Sequence, residues 1–416
     1  MTATSGATGA TGATAATGHV LGDAALRRVV AVLCVGQITS WGVLYYALPV
    51  LAPAISADTG WSPASVVAAF STGLVVNALA GIATGRGLDR WGPRRVMTTG
   101  SVVGVAAVVG LALAPSYPVF LLAWVVAGAA MSATLYAPSF AAVTGWAGDD
   151  PARRVRALTA VTLVGGLAST AFAPLTAALV GPLGWRGSYL ALAVVLALVT
   201  VPAHLLGLRG RWDPPRRLHD ARGGPVRGPT REPAFWLMGA SFTLAALAVY
   251  AGVVNLVPLL VEHGVGLTTA AVVLGIGGAG QVLGRLVWAP VVARTALRTR
   301  TAGVFVLVGL TSLVLALVPG PLWLVVLVSL LAGSARGVVT LLHATGVTDR
   351  WGAADFGRLN GLLTAPLMLA SALSPWAGAA VAQALGSYAA AFAVIAVAAL
   401  LAALLAPFTL PRRPAR

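Results

Sequence analysis

The chain has 416 residues, of which 58% are hydrophobic and only 9% are charged. This composition excludes a soluble globular domain, in which about a quarter of the residues are charged. The formal net charge of +16 comes from arginines that lie between apolar runs, so we expect it to orient the chain in a membrane and expect no nucleic-acid partner. Because Cys34 is the single cysteine, we also expect no disulfide, no metal and no cofactor.

Residues 1–22 are rich in Ala, Thr and Gly, and we expect a disordered tail there. Twelve apolar runs follow, each near the length of about 20 residues that spans a bilayer as a helix. In the first half they begin near Val29, Pro63, Val96, Pro118, Arg156 and Ser188, and in the second half near Ala234, Thr268, Ala302, Leu322, Leu359 and Tyr388. Residues 207–232, rich in Arg, Pro and Gly, form the predicted linker. The pattern predicts an all-α membrane protein with six-helix bundles at 23–206 and 233–410 and a short tail at 411–416.

Every arginine except Arg186, Arg285 and Arg336 falls on one side of this predicted topology. Loops rich in arginine face the cytoplasm, so we expect both termini to be cytoplasmic and the basic loops to contact lipid headgroups. Heavy use of Arg, Ala and Gly without lysine is typical of a GC-rich bacterial genome. The sequence therefore predicts a multi-pass protein of a bacterial cytoplasmic membrane.

The two halves resemble each other at matched positions. An offset of about 204 residues pairs small and polar positions of the first half with those of the second: Gly73 with Gly277, Asn77 with Gln281, and Ala127-Gly128 with Ala332-Gly333. Internal repeats of this kind are typical of transporters whose site lies between two pseudo-symmetric bundles. We therefore expect the functional site at that junction, near the middle of the membrane.

Two arginines, Arg285 and Arg336, lie inside predicted spans, whereas all eleven acidic residues lie outside the middle of the membrane. A buried arginine costs at least ~2.5 kcal/mol, so it is a candidate functional group. A guanidinium fits a carboxylate with two parallel hydrogen bonds, and an anionic substrate is one interpretation. The other is a packing or gating role. Polar side chains that are candidates for the same cavity are Gln281, Tyr45, Tyr46 and Asn255, although packing is an equal alternative for the two tyrosines.

The segment between the second and third runs contains a motif of small and charged residues: Gly85, Asp89, Arg90, Gly92 and Arg94. It resembles the loop between helices 2 and 3 of the major facilitator superfamily. The resemblance implies a twelve-helix transporter in which this loop is part of a cytoplasmic gate. The alternative is a positively charged loop that only orients the protein.

The spacing Gln281-x-x-x-Arg285, together with Gly36-Gln37-Ile38-Thr39-Ser40-Trp41-Gly42-Val43, resembles the monocarboxylate and oxalate/formate porters of that superfamily. There an acid and an arginine four positions later contact the substrate carboxylate, and here Gln281 replaces the acid.

This resemblance implies a monomeric secondary transporter of a small organic anion such as a monocarboxylate, coupled to a proton or a counter-transported anion. The alternative is an efflux antiporter for hydrophobic or cationic compounds. We expect no enzyme, because the sequence has no nucleophile–base pair and no phosphate-binding loop.

Overall fold

The computed structural model describes residues 21–148, 150–212, 229–351 and 356–411. Most of the predicted tails and residues 213–228 of the predicted linker lie outside the described residues. Within the described part, ten helices are long and apolar enough to cross a membrane. Two of these ten are divided by a glycine with a positive φ, Gly92 (75°) and Gly184 (63°), where a side chain is disfavoured. The described residues therefore form twelve spans, which confirms the predicted fold class.

In the first bundle the spans are α1 (Asp23–Thr59), α2 (63–91), α3 (93–113), α4 (Tyr117–Ala147), α5 (152–183) and α6 (185–207). In the second they are α7 (Pro233–Glu262), α8 (Leu267–Leu286, extended by Trp288–Arg294), α9 (Leu297–Leu317), α10 (Leu322–Thr345), α11 (Phe356–Leu385) and α12 (Tyr388–Leu405, then a 3₁₀ turn). Several starts have a side-chain cap next to the first turn. Ser62 accepts from the Ser65 amide at 3.1 Å and is followed by Pro63, which needs no amide partner at that position.

Paired glycines give the two bundles the same internal contact. In the first bundle α2 and α4 cross so closely that a Cβ on Gly128 would overlap the carbonyl oxygen of Gly73. In the second, a Cβ on Gly333 would overlap the carbonyl oxygen of Gly277 where α8 crosses α10. These are the positions that the sequence offset pairs. Small residues at such crossings let helix backbones pack directly, which drives association where lipid removes the hydrophobic effect.

The bundles contact each other at the end of the molecule opposite the arginine-rich loops and at mid-height. At the opposite end, the Trp376 amide in α11 donates to Ser71 Oγ in α2 at 3.2 Å. At mid-height, Thr170 Oγ1 in α5 donates to the carbonyl oxygen of Gly275 in α8 at 2.7 Å. Toward the arginine-rich end, Ile82 in α2 and Leu362 in α11 are 65% and 45% exposed. The bundles are therefore joined at one end and at mid-height, whereas these two side chains at the other end are exposed.

The described ends of the predicted tail and linker pack on the first bundle. The Leu21 amide donates to the carbonyl oxygen of Trp146 at 3.2 Å, and Arg153 Nη2 donates to the Leu21 carbonyl oxygen at 2.6 Å. Trp212 lies against Gly92, where a Cβ would come within 2.9 Å of its ring. The turn between α2 and α3 is thus held against the segment that leaves α6.

We predict that Gly128→Ala and Gly333→Ala each lower the melting temperature of the detergent-purified protein. An added methyl group must separate two backbones in direct contact, and overpacking of this kind costs about 1–3 kcal/mol. The matched control is Gly303→Ala in α9, where no heavy atom lies within 4 Å of the added carbon. Alanine favours the helix there, so the control should be neutral or stabilising. If the parent protein and the three variants all had the same melting temperature, the account of the glycine crossings would be contradicted.

Candidate functional site

A cavity of about 330 Å³ lies between the two bundles. Spans α1, α4 and α5 of the first bundle and α7, α8 and α10 of the second supply its walls. The lining residues are Trp41, Tyr45, Tyr46, Tyr136, Phe140, Thr162, Gly165, Gly166, Tyr250, Val253, Gln281, Arg285, Arg336, Thr340, Leu341 and Ala344. Tyr45 and Arg336 are buried, whereas Ala344, nearest the arginine-rich end, is exposed. The cavity therefore opens toward the arginine-rich end and is closed toward the other.

A π-helical turn in α1, Gly42–Tyr46, shapes the first wall. Pro49 has no amide to donate to the carbonyl of Tyr45 four residues earlier, so the regular α-helical bonding pattern is interrupted at this level. Gly42 has no side chain, and a Cβ there would overlap the ring of Phe172 in α5. Widened turns of this type re-aim side chains and are frequent at functional sites. Here Tyr45 and Tyr46 border the cavity from this turn.

A break in α4 shapes the next part of the same wall. Pro138 has no amide for the carbonyl of Thr134, and Leu135 between them adopts an extended conformation (φ −81°, ψ −155°). The buried Gln37 Nε2 of α1 donates to the Thr134 carbonyl oxygen at 2.7 Å, so the freed carbonyl is satisfied. Gln37 Oε1 accepts from Trp41 Nε1 at 3.2 Å. One amide side chain therefore stabilises the break and orients an aromatic ring of the cavity.

The opposite wall depends on the close packing of α8 against α10. A Cβ on Gly337 would overlap the carbonyl oxygen of Gln281, and one on Gly284 would overlap that of Ser334. This contact fixes the height at which Arg285 and Arg336 leave their helices. Both guanidinium groups border the cavity as a result.

The two arginines have different partners. Arg336 is bonded within the second bundle, where its Nε donates to Gln281 Oε1 at 3.0 Å. Arg285 reaches across the junction, where its Nη1 donates to the carbonyl oxygen of Thr162 in α5 at 3.0 Å, while Nη2 donates to Thr340 Oγ1 at 3.3 Å. Its Nε is buried without a hydrogen-bond partner in the described structure. Among the described residues neither arginine pairs with a carboxylate. The ion pairs found there lie at helix ends and involve other arginines: Arg153, Arg186 and Arg300.

Five of the six predicted site residues border this one cavity: Tyr45, Tyr46, Gln281, Arg285 and Arg336. Asn255 lies elsewhere. It is fully buried between α7 and α11, and its Nδ2 donates to the carbonyl oxygens of Ala251 at 2.9 Å and Pro375 at 3.1 Å. The α7 residues that border the cavity are Tyr250 and Val253, five and two positions earlier and on another face of the helix.

Sequence reasoning also missed other lining residues, among them Trp41, Phe140, Thr162 and Thr340. The one available signal was the spacing of four that places Trp41 and Tyr45 on the same side of a helix.

The loop residues predicted as a gate lie at the arginine-rich end. Arg94 Nε donates to the carbonyl oxygen of Leu205 at the end of α6 at 2.7 Å, and the Arg90 guanidinium lies 5.4 Å from the centre of the Trp91 ring. Asp89 is half-buried. No atom lies within 4 Å of the position that a Cβ on Gly85 would take, so no second helix approaches there in this open arrangement. The gating role stays a prediction.

Residues 33–345 match the sequence profile of the Major Facilitator Superfamily. Among solved structures, a bacterial homolog of the human lysosomal transporter Spinster, inward-facing and occupied, superposes with a TM-score of 0.67 at 17% identity. It covers 92% of this chain and 95% of that one. A mutant of the nucleoside transporter NupG superposes with a TM-score of 0.75 at 13% identity, over 91% of this chain and 98% of that one. At these identities the likeness shows the fold alone. No curated protein matches the chain in sequence.

We predict that Gln37→Leu lowers the melting temperature, because it leaves the buried Thr134 carbonyl unsatisfied, at a cost of about 1–3 kcal/mol. Thr72→Val is the matched control, since the Thr72 hydroxyl bonds only a carbonyl of its own helix. The measurement is thermal unfolding of both variants in the same detergent. If the Gln37→Leu and Thr72→Val proteins have the same melting temperature, Gln37 does not stabilise the break in α4.

Proposed function

Because the chain belongs to the Major Facilitator Superfamily, we propose that it is a secondary transporter that moves a small organic anion by alternating access. It would work in a bacterial cytoplasmic membrane with its arginine-rich end toward the cytoplasm, since that is where the positive-inside rule puts such loops. The cavity of about 330 Å³ lies at the lower end of the ~300–1,000 Å³ range of small-molecule sites. It suits one small ligand.

The observation that carries the proposal is that the two guanidinium groups have no negatively charged partner among the described residues. Arg285 and Arg336 border a cavity inside the membrane, and in the described residues each bonds only neutral oxygens. Buried charges are ordinarily paired, so a missing counter-charge is an opening for a ligand. The unpartnered Nε of Arg285 adds one donor, and a carboxylate accepts two parallel bonds from such a group.

Arg285 gives a physical route from binding to movement. Its bond to Thr162 joins α8 to α5 across the junction of the bundles. A carboxylate that accepts from Arg285 replaces a neutral carbonyl with a stronger, charge-assisted partner. It also neutralises the buried charge, which lowers the cost of closing the arginine-rich end around it. The bound anion then favours an occluded state, from which the protein opens to the other side.

The cavity favours anion exchange over proton coupling. Its lining residues include no Asp, Glu or His among those described, and these are the side chains that ordinarily carry protons through transporters. In an anion exchanger, the carrier closes slowly when no anion is bound, because its two guanidinium charges then have no counter-charge. In the same scheme, the loop that contains Asp89 and Arg90 lies at the end that must close, which fits the gate that the sequence motif implies.

Efflux of lipophilic cations is the second candidate, and one observation favours it. The cavity has six aromatic rings, and ring faces attract cations. Two guanidinium groups in the same cavity repel a cation, so we place the anion first. The monocarboxylate and oxalate/formate group is the nearest pattern in sequence, and its substrate chemistry is part of this proposal.

We predict that Arg285→Gln lowers uptake of the transported anion into proteoliposomes at least about tenfold, since a hydrogen bond to a charged group contributes about 1.5–3 kcal/mol. Arg285→Lys keeps the positive charge but cannot donate two parallel hydrogen bonds to a carboxylate, so its uptake should lie between that of Arg285→Gln and that of the parent protein. The control is Arg298→Gln, which removes an exposed arginine outside the cavity and should transport normally.

Substrates for this assay come from a thermal-shift panel of small carboxylates, neutral nucleosides and lipophilic cations. If Arg285→Gln transports as the parent protein does, the anion proposal is wrong. Stabilisation by lipophilic cations in both proteins would support efflux instead.

A further inference from the structure

The cavity has two chemically different walls, and each comes from a different bundle. The first bundle supplies five of its six aromatic rings, from Trp41, Tyr45, Tyr46, Tyr136 and Phe140. The second bundle supplies both guanidinium groups. A ligand that contacts both walls must therefore carry an apolar flat part at one end and a negative charge at the other.

The rings of the aromatic wall are held in place by contacts with one another and with Gln37. The ring centres of Trp41 and Tyr136 lie 5.2 Å apart, and Tyr136 stacks on Phe140 at 5.3 Å with an interplanar angle of 19°. Trp41 is also held by its bond to Gln37. Rings fixed in this way lose little conformational freedom when a flat ligand packs on them, and aromatic pairs in stacked or edge-on geometry are stabilised beyond what their buried area contributes.

Tyr45 supplies a second and independent sign of a ligand. Its side chain is 3% exposed and borders the cavity, and its hydroxyl has no hydrogen-bond partner in the described part of the chain. Buried hydroxyl groups are ordinarily bonded, so this one is open to a polar atom of a ligand or to a water that accompanies it. Each wall thus contains a buried donor without a partner in the described residues, Tyr45 Oη on one and Arg285 Nε on the other.

We propose that the site is selective for aromatic monocarboxylates, with the ring on the wall formed by α1 and α4 and the carboxylate on Arg285. This inference rests on the proposed function and narrows it. A short aliphatic acid contacts the guanidinium wall alone, so it cannot bridge the bundles. An aromatic acid contacts both walls, so its binding favours the state in which the two bundles close around it.

Four compounds test the ring and the charge separately: phenylacetate, cyclohexylacetate, acetate and phenylacetamide. Each is titrated against the purified full-length protein by thermal shift, and the bound series is then tested for counterflow in proteoliposomes. We expect phenylacetate to bind at least about tenfold more tightly than acetate or phenylacetamide, and severalfold more tightly than cyclohexylacetate.

Variants separate this inference from the proposed function. Trp41→Leu and Phe140→Leu should each weaken phenylacetate binding severalfold and weaken acetate binding less, whereas Arg285→Gln should weaken both acids. Trp236→Leu is the control, because that ring is 58% exposed and lies outside the cavity. Two aromatic variants are used so that one that fails to fold leaves the other, and folding is checked by the melting temperature without ligand.

Each outcome has one meaning. If acetate and phenylacetate bind equally and both are lost in Arg285→Gln, the aromatic selectivity is wrong and the anion transporter stands. If phenylacetamide binds as tightly as phenylacetate and Arg285→Gln changes nothing, the anion proposal itself is wrong. If phenylacetate does not bind at millimolar concentration, the inference is overturned.

Discussion

Two guanidinium groups, one buried and one half-buried, lie inside the membrane without carboxylate partners in the described structure, and the rest of this molecule depends on that constraint. An isolated arginine at that depth is costly, and these two are tolerated because carbonyl, amide and hydroxyl oxygens surround them. Two of these oxygens, Gln281 Oε1 and Thr340 Oγ1, come from α8 and α10, whose backbones are in contact through the glycines at their crossing. The third, the Thr162 carbonyl oxygen, comes from α5 across the junction. Both guanidinium groups border the cavity between the bundles. The packing of α8 against α10, the position of the two guanidinium groups and the shape of the cavity therefore depend on one another.

The same principle, that freed backbone groups must find partners, explains the first bundle. Proline residues in α1 and α4 remove amides from the helices at the height of the cavity, and Gln37 bonds the carbonyl that Pro138 leaves open. The helix irregularities turn aromatic rings toward the junction. A straight α1 and α4 would not present the same wall. In the proposed transporter, substrate selectivity thus depends also on positions that do not themselves border the cavity.

Much of the fold could be predicted from the sequence, because span length, glycine pairs and arginine-rich loops report forces that act along the chain. The offset paired Gly73 with Gly277 and Gly128 with Gly333, and in the structure each bundle makes the same contact between its two glycines. The site was less accessible. Arg285 and Arg336 are evident because a charge inside a span is rare, but the choice between Asn255 and Tyr250 depends on the rotation of α7. An apolar helix buried on most sides carries little periodic signal for that rotation. The break at Leu135 was equally hidden, since a proline shows that a helix is perturbed and not where its side chains turn.

The most direct test of the central claim, that an anion on Arg285 closes the arginine-rich end, is a distance measurement between the bundles. Spin labels at Ile82→Cys in α2 and Leu362→Cys in α11 report that end, in a Cys34→Ser background that removes the single native cysteine. Pulsed electron paramagnetic resonance in proteoliposomes then gives the distance distribution with and without phenylacetate. The account predicts a shift toward shorter distances on binding, and no such shift in Arg285→Gln. An identical shift in both proteins, or none in the parent protein when binding is saturated, would contradict it.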